Sequence, residues 1–166
     1  WGLSFQEEGK RPAGNATIDD LKQYNAYYAS DTDEKILYLT FDAGYENGNV
    51  EKIADALDAH GAHGSFFILE NLIRRNPELV QRLHDGGHAV CNHTCRHHDM
   101  TKVSREEFER ELCGLEEQYT ALTGDELTRC YRPPEGRFTE QNLDWATELG
   151  YKTIFWSYAY ADWDND

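Results

Sequence analysis

Hydrophobic and polar positions fall into two kinds of block that take turns along the chain. The run Ile36-Leu37-Tyr38-Leu39-Thr40-Phe41 is almost continuously apolar, as expected of a short strand buried on both faces. Val50, Ile53, Ala54 and Leu57 then recur at helical spacing and stop at Gly61, a residue suited to the left-handed end of a helix. Ser65-Phe66-Phe67-Ile68-Leu69 predicts a second strand. Asn76-Pro77 opens a second helix with proline in its first turn, carrying Leu79, Val80 and Leu83 and closing at Gly86-Gly87. Residues 88–92 predict a third strand. Ser104 and Glu107 have capping-box spacing and precede a third helix, whose Phe108, Leu112, Leu115, Tyr119 and Leu122 form one stripe before Gly124. A fourth strand at 129–132, a fourth helix at 139–149 stopped by Gly150, and a fifth strand at 151–157 complete the series.

Such alternation of strand and helix predicts parallel strands with right-handed helical crossovers, and so an α/β architecture, either an open sheet or part of a barrel. The first 34 residues do not share it. Gly9, Pro12, Gly14, Asn15 and the acidic stretch 31–34 interrupt them, and only 18–28 has helical periodicity. Residues 1–34 are expected to decorate a catalytic domain at 35–166, since 166 residues suffice for one domain with a genuine core. Composition acts mainly by exclusion. With 16 Lys+Arg against 31 Asp+Glu the net charge is −15, which repels phosphate backbones and anionic lipid and argues against nucleic acid as a partner. No apolar stretch approaches the roughly 20 residues of a membrane span, and no signal-like leader opens the chain. The 13% aromatic content suits a sugar-binding cleft, but suits a core better. Cys91, Cys95, Cys113 and Cys130 are too few for a disulfide scaffold. Cys91 and Cys95 flank His93, yet a closed thiolate zinc site needs a second ligand pair that the chain lacks, so buried free thiols are expected.

In α/β folds the working residues gather at the carboxyl ends of the strands. Asp42 falls in this place after the first strand, His93 and His97 after the third and Arg132 at the end of the fourth, with Asp162 and Trp163 past the fifth. Two histidines four residues apart can reach one divalent ion from a single turn. The spacing alone suits ordinary surface or core histidines equally, and the strand-end position tilts the balance to metal. His98 is read as a neighbour of that pair. Asp42 could cap the next turn or, beside a metal-bound water, serve as general base. Arg132, before the stiff Pro133-Pro134, could be an ordinary ion-pairing residue or could hold Asp42 ionised and oriented. Asp162-Trp163 fits a solvated loop as well as a site.

Thr40-Phe41-Asp42, His93-Thr94-Cys95-Arg96-His97, Arg132-Pro133-Pro134-Glu135-Gly136 and Asp162-Trp163 together resemble four of the five motifs of the polysaccharide deacetylase family, also called NodB-homology or carbohydrate esterase family four. The stretch from Thr40 to Gly48, with Trp1-Gly2-Leu3, is more similar to its peptidoglycan N-acetylmuramic acid deacetylase branch. The resemblance implies a distorted (β/α) barrel and a metal-dependent hydrolase that removes N-acetyl groups from a glycan, foremost peptidoglycan, in the cell envelope or outside the cell. It implies that His93 and His97 bind the metal, that Asp42 takes a proton from the attacking water and that Arg132 tunes Asp42, with Asp162 a further member of the site. The backbone N–H of Glu135 would stabilise the oxyanion, Trp163 would wall the acetyl group, and Tyr131 would join them at the substrate. Zinc suits imidazole ligands best, with cobalt, nickel and manganese compatible.

Two departures qualify these expectations. Many relatives carry a second aspartate, a third metal ligand, where this chain has Ala43, so a weakly held metal is expected. The fifth motif, which supplies the acid that protonates the departing nitrogen, has no counterpart before Asp166, and five strands are too few to close an eight-stranded barrel. An incomplete C-terminal side is therefore expected. A catalytically weak or inactive glycan-binding remnant and an O-acetyl esterase of the xylan type are the alternatives.

Overall fold

A computed structural model describes residues 1–32 and 34–159. The described chain begins with an antiparallel pair, β1 (Leu3–Ser4) and β2 (Ala13–Gly14), and a short helix α1 (Ile18–Lys22). Thr17 caps α1 reciprocally: its hydroxyl accepts the Asp20 N–H, and the Asp20 carboxylate accepts the Thr17 N–H. The main sheet comprises β3 (Ala26–Tyr27), β4 (Thr40–Ala43), β5 (Ser65–Ile68), β6 (Ala89–Asn92), β7 (Thr128–Tyr131) and β8 (Lys152–Ile154). Its spatial order is β3-β8-β7-β6-β5-β4, and every neighbouring pair is parallel. The crossovers are α2 (Asn49–Ala59), α3 (Glu70–Arg75) with α4 (Pro77–Asp85), α5 (Arg105–Thr123) and α6 (Glu140–Glu148). The α/β class and the parallel sheet are as the alternation predicts. No helix among the described residues is long and apolar enough to cross a membrane, and Cys91, Cys95, Cys113 and Cys130 are all free thiols.

Three elements differ from the sequence expectation. The periodicity at 18–28 ends as a helix at Lys22, and Asn25 turns the chain at φ 50. The next two residues form β3, with Ala26 fully buried against Thr153 of β8. The expected second helix is preceded by a separate one, α3. Asn76 closes α3 and opens α4 without a side-chain cap, because Pro77 has no N–H to continue the first hydrogen-bond ladder. The run 36–41 is not a strand buried on both faces. Only its end enters β4, while Leu37 and Tyr38 are 80% and 67% exposed. Among the described residues β4 lies at the edge of the sheet, so the residues leading into it have a described neighbour on one side at most.

Side chains alternate across the sheet, as strand geometry requires. Phe41, Ala43, Phe66, Ile68 and Val90 join Val50, Ala54, Leu57, Leu72, Val80, Leu83 and Leu115 in the largest core, shared between strands and helices. Thr40, Asp42 and Phe67 take the opposite face and meet Arg132. A second core joins α5 and α6 through Phe108, Leu112, Tyr131, Ala146 and Tyr151, and a third gathers Leu21, Ala26, Leu143 and Phe155 with Trp1 and Tyr28.

The sheet is strongly curled. Strands lie about 4.8 Å apart, so a flat sheet would separate β4 from β8 by about 19 Å. Yet one guanidinium, that of Arg132, donates to Thr40 Oγ1 and Asp42 on β4 and also to the carbonyls of Ile154 and Phe155 at the end of β8. Strands four positions apart reach one side chain only when the sheet bends around it, as in a barrel.

Candidate active site

Asp42, Phe67, His93 and Arg132 come from four adjacent strands, and the curl turns them toward one another. Arg132 follows β7 directly, with its side chain almost fully buried. Its Nη1 donates to Asp42 Oδ1 at 2.7 Å and its Nη2 to Thr40 Oγ1 at 2.9 Å. The Arg132 Nε donates to Ile154 O at 3.1 Å and Nη2 also to Phe155 O at 3.2 Å. The guanidinium carbon lies 4.2 Å from the Phe67 ring centroid and 5.7 Å from that of Trp156, a cation–π setting that lysine would fill poorly. Asp42 is thus fixed through Oδ1, while Oδ2 lies 3.8 Å from His93 Nε2.

His93 directly follows β6 and is buried. Its Nδ1 is 2.8 Å from Arg132 O; a carbonyl only accepts, so Nδ1 carries the proton and Nε2 presents a lone pair toward Asp42. Burial holds the His93 imidazole below its ordinary pKa, with Asp42 opposing that shift. His97 is exposed, and its ring centroid lies 4.9 Å from that of His93. The intervening turn is unusual in having two non-glycine residues at positive φ, Thr94 at 74° and His97 at 60°. Internal bonds hold it: Thr94 N–H donates to Asn92 Oδ1 and His97 N–H to Thr94 Oγ1, both at 2.9 Å. The Cys95 thiol is pushed up to about 12 by burial and then by Glu111, and a hydrogen bond with Cys130, followed by burial, raises that of Cys91. Cys91 and Cys95 are both buried free thiols, and His93 and His97 are the imidazoles of this segment.

The loop after β7 forms a 3₁₀ turn at Pro134–Gly136, with Glu135 at φ 54 and Gly136 at φ 65. A Cβ on Gly136 would lie 2.6 Å from the Trp156 ring and 2.8 Å from the Trp1 Cβ, so only glycine fits. Trp1 braces this loop from outside: its indole N–H donates to Trp156 O at 2.8 Å and its ring stacks on Phe155 with centroids 4.7 Å apart. Arg137 ties the loop to the histidine segment, pairing with Asp99 at 3.0 Å and Glu135 at 2.8 Å. Hydrogen bonds, first from the Thr101 hydroxyl and then from Lys102, keep the Asp99 carboxyl well below the usual carboxylate range.

The polysaccharide deacetylase family profile matches residues 29–154. The chain belongs to the polysaccharide deacetylase family. It is 37% identical over 164 residues to the peptidoglycan-N-acetylmuramic acid deacetylase PdaA of Bacillus subtilis, covering 98% of this chain and 62% of that protein. It is 31% identical over 143 residues to a peptidoglycan-N-acetylglucosamine deacetylase of Bacillus cereus, covering 86% of this chain and 52% of the relative. The solved structure of Bacillus subtilis PdaA, described as a family 4 carbohydrate esterase, superposes with a TM-score of 0.93 at 36% identity, over 99% of this chain and 71% of that one. The chain thus spans a little over half to three-fifths of the length of these curated relatives.

Within this deacetylase-family fold Asp42, His93, His97 and Arg132 lie together, with Glu135 at the turn following Arg132. Tyr131, expected at the substrate, is instead 1% exposed and packs edge-on against Phe108 and Tyr151. Alternation along β7 sends it to the face opposite Arg132, and burial raises its hydroxyl pKa. Ala43 packs on the helix-facing side with Phe41 and has no donor atom. Asp162 and Trp163 lie outside the described residues. Phe67, Asn92, Glu111 and Trp156 surround the constellation without having been singled out from the sequence. Two surface depressions, of about 460 and 640 Å³, are lined by none of the constellation's residues.

Proposed function

We propose that this chain carries the catalytic machinery of a metal-dependent hydrolase that removes N-acetyl groups from a glycan, with the N-acetylmuramic acid of cell-envelope peptidoglycan as substrate. The observation that carries this reading is the division of labour at Asp42, with one oxygen fixed by Arg132 and the other facing the lone pair of His93. Two imidazoles beside a carboxylate suit a divalent ion that prefers nitrogen and oxygen donors, zinc first, then cobalt, nickel or manganese. When bound, such an ion polarises the acetyl carbonyl and acidifies a water.

The protein's own groups act up to the tetrahedral intermediate, the acid for the departing nitrogen having no counterpart among them. His93 and His97 hold the ion, and the proton on His93 Nδ1, donated to Arg132 O, keeps Nε2 free for it. Asp42 takes the proton of the attacking water, and Arg132 keeps that carboxylate aimed. The Glu135 N–H donates to the oxyanion as the carbonyl becomes tetrahedral. With Ala43 where a third ligand would stand, the ion is held weakly and is lost on dialysis against a chelator; retention of one equivalent through that dialysis would contradict this. The choice of sugar rests on similarity to the Bacillus subtilis relative.

The test is acetate release from defined N-acetylmuramic acid and N-acetylglucosamine oligomers, and from acetylated xylan, in the presence of zinc. Release from the muramic acid oligomers, reduced about 10²–10⁴-fold in Asp42→Asn, is the expected result. Release from xylan alone would mean an O-acetyl esterase. Oligomer binding without acetate from any substrate would mean a glycan-binding remnant.

A further inference from the structure

We infer that Glu111, in the middle of α5, is a positioning residue for metal binding that holds the segment from His93 to His97 in the shape a cation requires. This rests on the proposed metal site. Glu111 is 2% exposed, although glutamate seldom lies fully buried without partners. Its partners are all in the histidine segment. Its backbone carbonyl accepts the Cys95 N–H at 3.1 Å, its Oε2 accepts the Arg96 N–H at 2.9 Å, and its Oε1 lies 3.7 Å from Arg96 Nε. One residue on, the Leu112 carbonyl accepts from Asn92 Nδ2 at 3.0 Å. A single turn of α5 therefore grips the segment on both sides of His93.

The grip matters because the segment does not hold this shape by intrinsic preference. Thr94 and His97 both sit in the left-handed region that non-glycine residues avoid, and such conformations persist where surrounding contacts over-determine them. Arg96, whose N–H Glu111 holds, immediately precedes His97. Without that acceptor, the backbone at 96–97 is free to relax and to swing the His97 imidazole away from His93, now 4.9 Å off between centroids. Gly114, one turn further along α5, allows the approach: a Cβ there would stand 3.3 Å from the Cys95 sulfur. The carboxylate thus acts through the backbone of one ligand rather than by touching the ion.

Zinc affinity, measured by competition with a chromophoric chelator, tests this on wild-type protein and on Glu111→Gln, Glu111→Ala, His93→Ala and His97→Ala, with thermal midpoints recorded in parallel. Wild type is expected to bind one equivalent, and the histidine variants to lose it. Glu111→Ala should bind about 10- to 100-fold more weakly, the loss usual for groups that orient metal ligands. Glu111→Gln, whose amide oxygen can still accept the Arg96 N–H, should stay close to wild type. Independently of any variant that fails to fold, the Arg96 amide of the wild-type protein should exchange with solvent far more slowly than an exposed amide. The inference is overturned if Glu111→Ala binds zinc like wild type with only its midpoint lowered, or if the Arg96 amide exchanges as an open one. It is also overturned if wild type binds two equivalents and Glu111→Gln removes one, because Glu111 would then be a ligand itself, with His98 and Glu107, whose donor atoms lie within 4.8 Å of its own. Undiminished binding by both histidine variants would instead sink the metal reading beneath it.

Discussion

Arg132 illustrates how much a single side chain carries in this site. Its guanidinium satisfies Asp42, Thr40 and two backbone carbonyls while lying over Phe67. Lysine has the charge but not the fork, and could satisfy only part of that set. Arg132→Lys is therefore expected to leave at least one buried carbonyl unpaired and to lose about 3 kcal/mol of unfolding free energy in urea titrations, the partial exposure of Asp42 sparing it more. Acetate release should fall with it, since Asp42 loses its fixed orientation; an unchanged denaturation midpoint would refute this account of Arg132. Asp42, His93, His97 and Arg132 were legible from sequence because each is a chemically distinctive residue placed at a strand end. Tyr131, named for the substrate through the family resemblance, is buried on the other side of β7, since neighbours along a strand face opposite ways. Asn92 and Glu111 could not be found that way, since their partners lie 20 and 15 residues off along the chain.

Among the elements, β6 links the core to the histidine segment and carries a titratable group at its entrance. His88 is buried, and its Nδ1 accepts the Gly64 N–H at 3.2 Å while Nε2 lies 3.6 Å from Asp58. Burial lowers its pKa below the ordinary 6.5, with Asp58 opposing and His63 and Arg82 reinforcing the shift. The folded chain thus binds fewer protons than the unfolded chain just below pH 6.5, so stability falls as the pH drops through that range. Protonating Nδ1 also removes the acceptor for Gly64. His88→Gln keeps an acceptor without a titrating ring, so its thermal midpoint should fall less than that of wild type between pH 7 and 5.5. Part of the slope should survive, because His93 is shifted in the same direction; identical slopes would dismiss His88 as a contributor. The helices α2, α4, α5 and α6 were visible through periodicity and punctuation. Helix α3 escaped because six residues are too short for a period to show, and β3 escaped because its two residues are a strand only through pairing with β8, over 120 residues later.

For the molecule as a whole, the parallel α/β plan follows from the order of elements, whereas its curl does not, because curvature depends on how one interior side chain bridges distant strands. The same curl leaves β4 as an edge whose approach, Ile36, Leu37 and Tyr38, is apolar and exposed. The unbroken apolar run suggests burial, and what decides otherwise is which strand lies alongside, a fact no local pattern contains. An exposed apolar edge is a template for pairing with another chain. The net charge of −15 resists such pairing only over a screening length of about 10 Å at 0.1 M salt, and about 3 Å at 1 M. The 166-residue chain is therefore expected to associate increasingly as salt rises, measured by light scattering on size-exclusion chromatography. Leu37→Lys places a charge at the most exposed of these positions and should remain monomeric over the same range with an unchanged circular dichroism spectrum. A wild-type chain that stays monomeric at high salt would show that charge alone does not guard this edge, and that the apolar run is shielded in some other way.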